Sequence, residues 1–147
     1  MEVYDHPANQ FVAGFIGSPP MNFLDARLVQ ENGETLVDLK GLRLPLPPDK
    51  AKRAEAYLNK EVVFGIRPED ISDIGQLDSK YLVPLRASIE VLEPLGAEII
   101  LELSCRGYTF TARMEPQLRA KMHDEIQVYF DMERCHLFDP KTEQAIF

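Results

Sequence analysis

The sequence predicts a mainly β domain with a short N-terminal helix and one or two further short helices, and three observations predict it. Apolar residues alternate in short runs divided by turn residues such as Asn32-Gly33, Gly96 and Arg106-Gly107. The period turns helical only at the start of the chain and between Pro48 and Asn59. With 147 residues and 45% hydrophobic content the chain can bury a real core, and no low-complexity linker divides it.

At the N terminus Asp5 can cap a helix whose first turn takes Pro7, and Phe11, Val12, Phe15 and Ile16 then share one face. Gly17 can adopt the positive φ that ends a helix, and Pro19-Pro20 prevents its continuation. An ordinary terminal helix on its own core has the same pattern. Leu24, Ala26 and Leu28 then alternate up to Asn32-Gly33, a strong hairpin signal, and Thr35 to Lys40 returns with Val37 and Leu39 on the inward face and Leu36 on the other. Leu42, Leu44 and Leu46 continue the alternation, with Pro45 tolerable only on an edge strand.

Pro48 and Asp49 are placed for a helix start, and the Ala-rich, charged segment to Asn59 lacks β-branched residues, so it reads as a short surface helix. Val62 to Ile66 is continuous enough for a strand buried on both faces. Later strand candidates are Tyr81 to Leu92, Glu98 to Cys105, Tyr108 to Met114, Glu125 to Phe130 and His136 to Phe138, the last followed by a turn at Asp139-Pro140. Roughly five to nine short strands at this spacing predict a closed or nearly closed OB-like barrel, which would also cover strand edges.

Sixteen Lys and Arg stand against 24 acidic residues, a net charge of −8, which opposes a phosphate backbone. The rings of Tyr108, Phe110, Tyr129 and Phe130 would suit a single-strand nucleic-acid binder, but no basic groove accompanies them. No run of 18 apolar residues, signal-peptide pattern or Asn-x-Ser/Thr site occurs, so a soluble cytosolic chain with two reduced thiols, Cys105 and Cys135, is expected. Cys105, Cys135 and His136 could be imagined around zinc, but neighbouring residues of a strand point to opposite faces. No Gly is followed by Lys, so the Gly-Lys-Ser/Thr end of a phosphate-binding loop is missing and no ATP hydrolysis is expected. Ser18 lies in no nucleophile elbow, and neither His6 nor His123 has a sequence partner that suggests a relay.

Four segments carry a resemblance. The opening Glu2 to Phe23, Phe64-Gly-Ile-Arg-Pro-Glu-Asp70, Val91-Leu-Glu-Pro-Leu-Gly-Ala-Glu98 and Glu133-Arg-Cys-His-Leu-Phe-Asp139 occur in the order found in the C-terminal regulatory (TOBE) domain of maltose-type and glycerol-phosphate-type ABC importer ATPases, which the chain therefore resembles. Ser72 to Tyr81 and Glu115 to Asp124 match nothing in that pattern. The resemblance implies a connector helix and linker over residues 1–22, leading from an ATPase domain that is missing here, and an OB-like regulatory domain over 23–147. It implies no cofactor and no metal in this fragment, with ATP and Mg²⁺ held by the missing domain.

The partners it implies are that domain, a homodimeric mate, the transporter's membrane subunits at the inner face of the cell membrane and, in some members, a regulatory protein; no nucleic acid is among them. Candidate dimer or domain contacts are Arg134, His136 and Phe138, which alternate on the closing strand, Arg67 and Glu69 around Pro68, and Phe11 and Phe15 of the connector helix. For Arg67 and Glu69 a local turn, with Arg67 paired to a nearby carboxylate and Glu69 capping, is the commoner arrangement. An alternative function is an oxyanion-binding module resembling the barrels of molybdate-type importers, for which Ser104 to Thr111 is the hydroxyl-rich and glycine-containing candidate.

Overall fold

Two turn dipeptides and one Pro-initiated helix set most of the first half of the computed structural model, which describes residues 2–15, 17, 19–73 and 81–147. Strand β1 (Asn22–Glu31) turns through Asn32 and Gly33, at φ 53° and 79°, into β2 (Glu34–Leu39). Lys40 and Gly41, at φ 50° and 95°, turn the chain again into β3 (Leu42–Pro45). Paired positive φ values are what a two-residue hairpin needs to match the strand twist. The helix after Pro47 is shorter than the sequence pattern suggests: α3 (Pro48–Arg53) stops at the buried Ala54 and a 3₁₀ turn, Glu55–Tyr57, leads on to β4 (Glu61–Ile66).

Beyond a 3₁₀ turn at Pro68–Asp70 come β5 (Ile71–Ser72), β6 (Leu82–Leu95), β7 (Glu98–Cys105), β8 (Tyr108–Met114), β9 (Glu125–Asp131) and β10 (His136–Phe138). Part of the Ser72 to Tyr81 stretch lies outside the described residues. The strands form two antiparallel five-stranded sheets, ordered β10-β4-β1-β2-β3 and β5-β9-β6-β7-β8. Pro45 does lie in an edge strand, where its missing N–H breaks no ladder bond. The second sheet curls until its two edges, β5 and β8, come into contact.

One core joins the sheets. Leu28, Val37, Leu44, Phe64 and Ile66 from the first meet Leu85, Ile89, Leu101, Leu103 and Phe130 from the second, with Phe64 and Phe130 stacked at 6.0 Å. Leu36, expected on the opposite face from Val37, is buried as well. A seam on one side is closed by side chains: Asn22 exchanges two 2.8 Å bonds with the Thr111 backbone, and the Tyr108 hydroxyl donates to Asp25 O. An amide side chain thus stands in for a partner strand along the edge of β8.

The N-terminal segment packs on the outer face of the first sheet. It carries α1 (Glu2–Asp5) and α2 (Gln10–Phe15). The cap of α2 is Asn9, whose Oδ1 accepts from Val12 N–H at 2.9 Å; Asp5, the capping residue expected from sequence, ends α1 instead. Asn9 also bridges to Gln144, so both ends of the chain lie together. Gly17 has φ 119° after the helix. Ile16, one of the four expected face residues, and Ser18 lie outside the described residues.

Candidate functional site

A second, smaller cluster explains the N-terminal helix. Ala13 packs on Met21, Val63 and Phe138, with Phe23 edge-on to Phe138 at 5.8 Å. Strand β4 is therefore covered on both sides, Val62, Phe64 and Ile66 facing the main core and Val63 the helix. While Ala13 is fully buried, Phe11 and Phe15 stand 73% and 75% exposed, stacked on each other with centroids 6.1 Å apart. One helix thus has an inward face on the barrel and an aromatic outward face that nothing among the described residues covers.

The closing strand does not present the surface its alternation suggested. His136 and Phe138 do share a face, but that face is interior: Phe138 is fully buried under α2 and His136 is 8% exposed. The N-terminal segment covers that face, with Ala13 packed on Phe138. Arg134, one turn earlier, is exposed and forms an ion pair with Asp70, Nε lying 3.4 Å from Oδ1. Arg67 is buried at 2% exposure and reaches the N-terminal segment, its Nη2 donating to Tyr4 O at 3.0 Å and its guanidinium lying 3.9 Å over the Tyr4 ring. Glu69 is exposed.

Tyr4, Arg67, Arg134 and His136, but neither Phe138 nor Glu69, line an open cavity of about 420 Å³ between α1, α3 and the start of β10. Its floor holds Arg67, His136 and Lys50, whose Nζ donates to Cys135 O at 3.1 Å and sits 4.6 Å over the Phe147 ring. Burial lowers the His136 pKa to about 4, and Lys50, Arg67 and His6 push the same way against a hydrogen bond to the Phe147 backbone. Burial raises the Asp70 carboxyl to about 6 despite Arg134. Arg67 is lowered by burial, with Asp70 and Asp5 opposing. Sequence reasoning did not single out Lys50, Tyr4 or Asp70 for this site, because they come from segments that only the fold brings together.

Cys135 is fully buried, its Sγ bonded to Met132 O at 3.1 Å and its thiol pushed up to about 12 by burial, while Cys105 is a half-buried free thiol. Among the described residues no group of three His, Cys, Asp or Glu could hold a metal ion, and no helix is long and apolar enough to cross a membrane. Phe110 and Phe130 belong to the core, and Tyr108 is tied to Asp25 O, so these rings form no open stacking platform. In the stretch Ser104 to Thr111, Ser104 Oγ donates to Glu90 and the Thr111 backbone is held by Asn22.

Comparison with known proteins gives two family matches that meet at the crossover between the sheets: the MalK OB fold domain over residues 17–71 and the TOBE domain over residues 64–138. The trehalose/maltose import ATP-binding protein MalK of Thermococcus litoralis is 47% identical over 152 residues, covering 99% of this chain and 40% of the relative. The oligosaccharides import ATP-binding protein MsmX of Bacillus subtilis is 40% identical, and the sulfoquinovosyl glycerol transport ATP-binding protein SmoE of Agrobacterium fabrum 38%, each over 99% of this chain. The chain spans 38% to 40% of the length of these relatives. Among solved structures the cytoplasmic molybdate-binding protein ModG, with molybdate bound, superposes at a TM-score of 0.60 with 15% identity, covering 81% of this chain and 96% of that one. That likeness is one of fold.

Proposed function

Because the chain belongs to the TOBE domain family, with a MalK-type OB fold domain as its first half, we propose that it is the C-terminal regulatory domain of a sugar-type ABC importer's ATP-binding subunit. The observation that carries this reading is the stacked, exposed Phe11–Phe15 pair on a helix otherwise pinned to the barrel by Ala13. Two large rings in water form an apolar patch suited to a protein partner. The partner fitting a helix at the entrance to this domain is the ATPase domain, which would bind ATP and Mg²⁺; residues 1–22 would then be the connector and 23–147 the regulatory body.

In this reading the domain works by coupling, together with a two-fold mate. Whatever binds one arrangement of the paired domains better shifts the ATPase equilibrium toward it, by no more than its differential affinity. The connector is the mechanical link, since Arg67 ties α1 to the crossover between the sheets. The membrane subunits would be reached through the ATPase domain, at the cytoplasmic face.

The test is isothermal titration of this chain with its own ATPase domain produced separately. The wild-type chain should bind, and Phe11→Asp with Phe15→Asp should abolish binding without lowering the chain's Tm, because both rings are exposed. Absence of binding by the wild type would overturn the reading. Sedimentation velocity over a wide concentration range tests the mate, with a reversible dimer expected.

A further inference from the structure

We propose that the open cavity between α1, α3 and β10 is a binding site for a small phosphate monoester. The inference goes beyond the transporter reading and is independent of it. Three side chains from three separate elements, Lys50, Arg67 and His136, converge on the floor, and Arg53 stands exposed at the mouth. Lys50 is fixed by Cys135 O and the Phe147 ring, and Arg67 by Tyr4 O and the Tyr4 ring, so their charges are set in place before any ligand arrives. Preorganised cations cost a ligand less ordering than flexible surface lysines do.

The cavity also holds carboxylates, but their positions differ. Asp5, Asp49 and Glu133 are exposed at the rim, and Asp70, the one carboxylate on the floor, is already engaged by Arg134. His136 responds to this surrounding: burial lowers its pKa first, and the neighbouring Lys50 and Arg67 push the same way. A dianion seated there would relieve that repulsion and favour the imidazolium. Binding is therefore accompanied by proton uptake at His136 and at Asp70, whose carboxyl burial has raised to about 6, and affinity rises as the pH falls from 7 toward 5. The 420 Å³ volume exceeds what the anionic group alone would fill and leaves room for the organic part of an ester.

The test titrates the chain with sulfate, whose charge is constant across this pH range, then with inorganic phosphate, glucose 6-phosphate and acetate, following the His136 imidazole resonances by NMR. Sulfate should saturate, raise the His136 pKa and bind more tightly at pH 5.5 than at pH 7.5. Glucose 6-phosphate should bind at least as tightly as phosphate, and both more tightly than acetate. Lys50→Gln and the exposed Arg53→Gln should each weaken binding by about tenfold or more, whereas Arg119→Gln in the β8–β9 loop should not. A linear, unsaturable response, equal effects of the three substitutions, acetate matching phosphate, or exclusion of the ester would overturn the proposal.

Discussion

Asp70 and His136 sit on one crossover region and titrate in opposite senses. The Asp70 carboxyl is raised from 3.8 to about 6, so the folded state binds its proton more readily and stability falls as pH rises through that window. His136 is lowered from 6.5 to about 4, so its contribution is complete above pH 6.5 and is lost as pH falls toward 4. The two contributions oppose each other in wild type. Asp70→Asn should therefore unmask the histidine: urea unfolding at pH 4.5, 5.5 and 7.5 is expected to show a steeper loss of stability on acidification than in the wild type. A flatter profile in the variant would contradict this. Alternation in the sequence placed His136 and Phe138 on one face, but periodicity does not say whether a face meets solvent or the chain's own N terminus. The helix cap failed similarly, since Asp5 and Asn9 are both good caps and only the bridge of Asn9 to Gln144 places the helix start.

At the scale of elements, β4 is the strand on which both clusters depend. Its continuous apolar run was legible as two-sided burial, and Gly65 shows how closely the second side is packed: a Cβ there would lie 2.7 Å from Met21 Sδ and 2.9 Å from Phe138 Cε2. Gly65→Ala should cost roughly 1–3 kcal/mol by overpacking, measured by chemical denaturation, and adding Met21→Ala should recover part of the loss. An unaffected midpoint would mean that β4 and β10 can separate. The hairpins were readable from Asn32-Gly33 and Arg106-Gly107, because Gly tolerates positive φ cheaply. The seam between Asn22 and Thr111 was not, as its partners lie 89 residues apart.

For the whole molecule, the chain passes from the first sheet to the second at Arg67–Asp70 and returns at Met132–Cys135, and Arg134 to Asp70 links the two crossings. With one core shared by both sheets, unfolding should be a single transition, so tyrosine fluorescence and far-UV circular dichroism should give coincident urea curves. Separated midpoints would show that the two family-matched halves are independent units. By itself the sequence determined the β class, all but the shortest strand, the edge position of Pro45 and the resemblance to importer regulatory domains, since these depend on period, turn chemistry and ordered local motifs. Only the tertiary structure decided that Phe138 is interior, that Phe11 and Phe15 are the exposed rings, and that Lys50, Arg67 and His136 meet in one cavity. Those outcomes depend on which distant segments pack together, and contacts between residues far apart in the chain leave no period in the sequence.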